Sequence, residues 1–99
     1  MAYKNPRDVD SPRDRWKLID VLYESGDGGD SLAIGEWDKG RVLAARWNGS
    51  EAHDGVGNPQ SRGLATWFIL PEWMNEGILK SKEIPTAKVN LAKALLDVD

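Results

Sequence analysis

Residues 31–37 and 41–48, two segments rich in apolar residues on either side of Asp38-Lys39-Gly40, make the clearest hairpin signature in the chain and constrain the fold more than any other stretch. Successive side chains of a strand point to opposite faces, and a short glycine-containing connection closes an antiparallel pair. With Lys39-Gly40 as a two-residue loop, Leu32 faces Trp47, Ile34 faces Ala45 and Glu36 faces Leu43. The other face then carries Ala33, Gly35 and Ala44 beside Trp37, Val42 and Arg46. A bulge at Gly40 would change these partners. Both faces hold apolar groups, so both require cover, and the small residues of the second face would let a helix approach closely.

The flanking segments extend this sheet. Residues 17–24 are rich in β-branched and aromatic types and read as a strand, against a competing helix in which Leu18 and Leu22 fall four apart. The glycine- and aspartate-rich stretch 25–30 reads as a turn; its acids fit no calcium-loop spacing. A fourth strand is expected over 65–70, ended by Pro71, which opens a short helix towards Leu79. Residues 85–97 form the clearest helix. Ala87, Leu91, Ala94, Leu95 and Val98 make one apolar stripe, and Val89, Ala92 and Leu96 make a second strip. Leu91 and Leu95 are expected to be buried against the sheet, and the second strip, if left exposed, would serve a homodimer. Residues 1–15 are polar, with Pro6 and a helix-start signal at Ser11-Pro12, and read as an extended or mobile arm before a single domain, 16–99. The expected class is α+β: a three- to four-stranded antiparallel sheet with the C-terminal helix packed on one face.

Composition removes several chemistries. The chain of 99 residues has no cysteine, which excludes disulfides, thiolate catalysis and cysteine-bound zinc. A net charge of −3 argues against general nucleic-acid binding. There is no apolar run of signal-peptide or membrane-span length, so the expected location is cytoplasmic and no membrane contact is expected. The lone histidine, His53, stands with Glu51 and Asp54, but three ligands within four loop residues make a poor preformed metal site. A Ser-His-Asp set can be drawn from Ser50 or Ser61, His53 and Asp54, yet no nucleophile elbow accompanies it. No catalytic residue, metal ligand or cofactor is therefore assigned.

The residues left for function lie in the loop 57–63, Gly-Asn-Pro-Gln-Ser-Arg-Gly, which runs into Leu-Ala-Thr-Trp-Phe-Ile-Leu-Pro. Asn58, Gln60, Ser61 and Arg62 supply mixed donors and acceptors in a segment restrained by Pro59 and bounded by glycines. Five tryptophans, at 16, 37, 47, 67 and 73, exceed what a small core needs. Trp67 is the aromatic anchor expected beside the loop, if strand alternation turns its ring outward, and Arg46 the cation beside an exposed ring. The loop and strand, with Leu-Ala-Ile-Gly-Glu-Trp-Asp at 32–38 and Arg-Trp-Asn-Gly at 46–49, resemble a pattern in small uncharacterised bacterial proteins. That resemblance spans about residues 17–72 and implies a bacterial setting without an activity. The reading is a non-enzymatic binding or adaptor protein for a protein partner. The alternative is a nucleotide or single-stranded nucleic-acid module, and a small enzyme ranks below both.

Overall fold

The hairpin turn falls one residue earlier than its glycine implies. In the computed structural model, which describes residues 5–50 and 55–97, Asp38 and Lys39 take φ values of 50° and 74° and Trp37 pairs with Gly40. Two left-handed central residues make the turn whose twist suits paired strands. Asp38 is held there from a distance. Arg15 donates from Nε and Nη2 to its two carboxylate oxygens at 2.9 and 2.6 Å, while the Asp38 N–H reaches the Arg15 carbonyl at 2.9 Å. Leu32 therefore faces Ala45, Ile34 faces Leu43 and Glu36 faces Arg41. Each partner moves by two positions, so the division of side chains between the two faces is as expected.

The fold is α+β. Strands β1 (Trp16–Glu24), β2 (Asp30–Trp37), β3 (Gly40–Trp47) and β6 (Phe68–Ile69) form one antiparallel sheet in the order β1-β2-β3-β6. The expected fourth strand is divided. Leu64–Ala65 (β5) pairs instead with Gln60–Ser61 (β4) in a separate small hairpin, and only Phe68–Ile69 joins β3. Strand β1 carries register shifts between Leu18 and Asp20 and between Val21 and Tyr23. The first turns Asp20 to the face of Ile34, although Leu18 lies on the face of Gly35.

Each sheet face has its own core. On the small-residue face, Ala33 and Ala44 meet Trp16, Trp67, Val9, Val56 and Ala65. Tryptophan rings, rather than a helix, use the space that the small residues leave. The two rings lie 6.2 Å apart between centroids, and a Cβ on Gly35 would overlap the Trp16 ring and come within 2.6 Å of the Lys17 carbonyl oxygen. Beneath them, from Asn5 onward, the segment expected as an arm is docked: Pro6 and Val9 are fully buried, and Ser11 bridges in parallel to Thr66.

The opposite face, with Ile34, Leu43 and Leu22, is covered by α1 (Asn75–Ile78), the turns around it and α2 (Thr86–Leu96). Helix α2 ends as expected but is rotated from the expected phase. Ala92 is fully buried, with Val89, Leu95 and Leu96 beside it, whereas Leu91 is 38% exposed. The strip considered for a second subunit is thus the one that faces the sheet. Val98, placed on the first stripe, lies outside the described residues. The rotation is fixed by contacts from elsewhere in the chain: Lys88 Nζ to Asp20 Oδ2 at 2.6 Å, and Arg41 Nη1 to the Leu95 carbonyl at 3.2 Å. Among the described residues, no helix is long and apolar enough to cross a membrane.

Candidate functional site

The end of β3 and the loop beyond it are bound into one rigid corner. Asn48 is fully buried and accepts a hydrogen bond from Ser31 Oγ. Its Nδ2 donates to the carbonyls of Gly26 and Asp30 at 2.7 and 3.3 Å, so one side chain ties β3 to the 25–30 turn. Gly49 and Gly57, both at positive φ, pass backbone to backbone; a Cβ on either would strike the other segment. Trp47 and Asn58 then exchange both main-chain hydrogen bonds, at 2.7 and 3.1 Å. This arrangement fixes Trp47 at its Cα while leaving its side chain 65% exposed.

Arg46 has a different task from the one its sequence position implied. It is buried, and its guanidinium donates to the carbonyls of Thr66 and Val56, and at 3.4 Å to that of Pro59. These carbonyls belong to the segment 56–66, so Arg46 holds the loop onto the sheet, and it also lines the cleft beside Trp47. Trp67 is likewise withdrawn: its ring is in the core and Nε1 donates to the Val9 carbonyl at 2.8 Å.

The loop residues separate. Gln60, Ser61 and Arg62 are exposed on the β4–β5 hairpin, whose tip is formed by Arg62 and Gly63 at φ values of 53° and 81°. Gln60 Nε2 turns back to the Gly57 carbonyl at 2.5 Å. Asn58 instead joins a cleft of about 380 Å³ with Asp30, Ala45, Trp47, Pro59 and Phe68. Phe68 pairs with Ala45 and is 60% exposed. Ala45, Trp47 and Phe68 lie on the face that α2 covers over Ile34 and Leu43, at the end the helix leaves open. Trp47 and Asn58 also border an adjoining cleft of about 230 Å³, walled by Gly28, Gly29, Gly49 and Gly57.

The rim carries one carboxylate, Asp30, which is capped by Ser25 Oγ at 2.8 Å. The arrangement offers two aromatic surfaces, a proline wall and an amide, which suits noncovalent contact with an apolar side chain and its flanking backbone. Among the described residues, no three His, Cys, Asp or Glu side chains gather as a metal site. Glu51, His53 and Asp54, weighed as ligands, lie outside them.

Sequence reading found Asn58 but passed over Trp47 and Phe68 as the exposed pair. The signal was available at Trp47, since it ends a strand immediately before Asn48-Gly49. Phe68 was harder to find, because which of Trp67 and Phe68 faces outward depends on where the stretch 65–70 divides between two sheets. Set against known protein families, curated proteins and solved structures, the chain matches none of them.

Proposed function

We propose that the protein is a non-enzymatic binding or adaptor protein that takes a protein partner on the Trp47–Phe68 face, with Asn58 at its rim and the 60–63 hairpin beside it. The observation that carries this reading is the exposure of two large aromatic side chains on one rigidly paired corner. Aromatic side chains that bury area without ordering a loop bind at low entropic cost, and they dominate the energetics of protein interfaces. A nucleotide or single-stranded nucleic acid could stack on Trp47, but phosphate needs a nearby cation. The arginine of this cleft, Arg46, turns inward to main-chain carbonyls, and the exposed charge at the rim is the carboxylate of Asp30.

The test is affinity capture from a lysate with the wild-type chain, Trp47→Ser, Phe68→Ser and the control Leu91→Ser, an exposed apolar residue outside the cleft. A specific protein should be held by the wild type and the control, lost with either cleft variant, and unaffected by nuclease or moderate salt. Retention by Trp47→Ser, or loss of the captured species on nuclease treatment, would overturn the reading. The second outcome would favour nucleic acid.

A further inference from the structure

Trp47 stands between two clefts, and that position selects what can lie across it. On one side is the cleft with Phe68, Pro59 and Asp30; on the other is the smaller cleft walled by glycines, and Asn58 borders both. The glycine wall presents bare main chain. At Gly28, nothing lies within 4 Å of where a Cβ would stand. Such a wall admits the backbone of another segment at close range. A helix, about 10 Å across with its side chains, would rest on the Trp47 ridge and fill neither slot. A narrower, extended segment can straddle the ring and enter both.

The hydrogen-bonding groups narrow the choice among extended forms. A strand cannot be added at Trp47, because its main-chain N–H and C=O are both taken by Asn58. The donors left at the ridge are side chains: among the described residues, neither the Trp47 indole N–H nor the Asn58 carboxamide has a partner. Separated donors suit a polyproline II segment, which has no internal hydrogen bonds, three residues per turn and fully exposed carbonyls. Its proline rings dock on aromatic faces, and Trp47 and Phe68 offer two. Charge adds one more feature. Asp27 and Asp30 are exposed on the turn beside the clefts, and neither enters an ion pair among the described residues. Ser25 caps Asp30 Oδ1 and leaves Oδ2 open to a cation.

We infer that the segment held here is a proline-rich stretch in the polyproline II conformation, flanked by a lysine or arginine. It crosses Trp47 from one cleft to the other, with Trp47 Nε1 and Asn58 Nδ2 donating to its carbonyls and Asp30 pairing with its cation. This rests on the reading of the site as one for a protein partner, and it states what that partner presents.

Isotope-labelled full-length chain, followed by amide and indole resonances, should be titrated with three blocked peptides. The first is hexaproline with arginine at both ends, and the second has glutamine in place of each arginine. The third alternates threonine and valine over the same length between arginines. The first should shift the Trp47 indole N–H, the Asn58 side-chain amide and the main-chain amides of Gly28, Gly29 and Phe68. The second should bind about threefold more weakly, and the third should leave these resonances in place. Trp47→Ser should weaken the first peptide about tenfold or more, and Asp30→Asn should bring it to the level of the second. Resonance dispersion would show that both variants remain folded. No shifts at millimolar peptide, an equal response to the third peptide, equal affinity for the first two, or unchanged affinity in folded Trp47→Ser would overturn the inference. Any of these results beside Trp47-dependent capture of a protein removes the polyproline assignment and leaves the protein-partner reading standing. Capture that does not depend on Trp47 removes both.

Discussion

Arg46 and Arg62 show how far the meaning of a residue depends on where its side chain ends. Both are arginines in or near the loop that sequence analysis singled out, yet Arg46 is buried against three main-chain carbonyls and Arg62 stands exposed at a hairpin tip. Removing Arg46 leaves buried carbonyls without donors. Arg46→Ala is therefore expected to cost roughly 2–4 kcal/mol in a urea titration, while Arg62→Ala should stay within about 0.5 kcal/mol of wild type. Arg46→Lys should recover only part of the loss, because one ammonium cannot reproduce the guanidinium fork.

Asp38 offers a residue-scale effect of pH. The hydrogen bonds from Arg15, and then its charge, hold the Asp38 carboxyl below the usual aspartate range. A carboxyl whose pKa is lowered on folding contributes stability above its unfolded pKa, near about 4, and loses it as pH falls through the lower folded value. The pair is exposed, so the effect is small. It should appear as a shallower acid limb in Asp38→Asn, measured by denaturation midpoints across that range, with no difference in slope near neutrality. The Arg15 guanidinium, raised by the same contact and stacked 4.4 Å over Trp37, stays charged throughout.

At the scale of the element, the extents of the three long strands and of α2 were legible, and the orientation of α2 was not. The α2 segment announced itself through Pro85 at its start and its run of helix-forming residues. Its rotation was not encoded within the segment, because two apolar strips of similar weight lie side by side. The choice is made by Asp20, which receives Lys88 only because an irregularity in β1 turns it towards the helix. Such a contact spans most of the chain and leaves no local pattern. The same holds for the hairpin turn, where Arg15 selects Asp38-Lys39 over Lys39-Gly40. The rotation can be tested directly. Leu43→Ala, at a fully buried position, should cost roughly 2–5 kcal/mol, whereas Leu91→Ala should cost less than about 1 kcal/mol. Equal losses in the two variants would mean that α2 packs by its other face.

For the molecule as a whole, fold class followed from periodicity because each of the three long strands carries its own pattern. The site was only half legible. Asn58 and the hairpin tip could be named from local chemistry, since turn residues declare themselves. The exposed aromatics could not, because which of Trp67 and Phe68 faces out depends on where a six-residue stretch breaks between two sheets. Trp67, weighed as an outward anchor, is buried and bonded to the Val9 carbonyl, and Arg46 supports the loop as well as lining the cleft. A support and a contact have the same residue types.

The distribution of the tryptophans has a practical consequence in optical terms. Trp16 and Trp67 are buried with ring centroids 6.2 Å apart, whereas Trp47, in the cleft beside Phe68, and Trp73 are exposed. The near-ultraviolet dichroism of the inner pair should report whether the sheet is assembled. Quenching of Trp47, isolated by replacing Trp73 with phenylalanine, should report whether the cleft is filled. Folding and occupancy thus fall to different rings, and a partner can be sought without attaching a label.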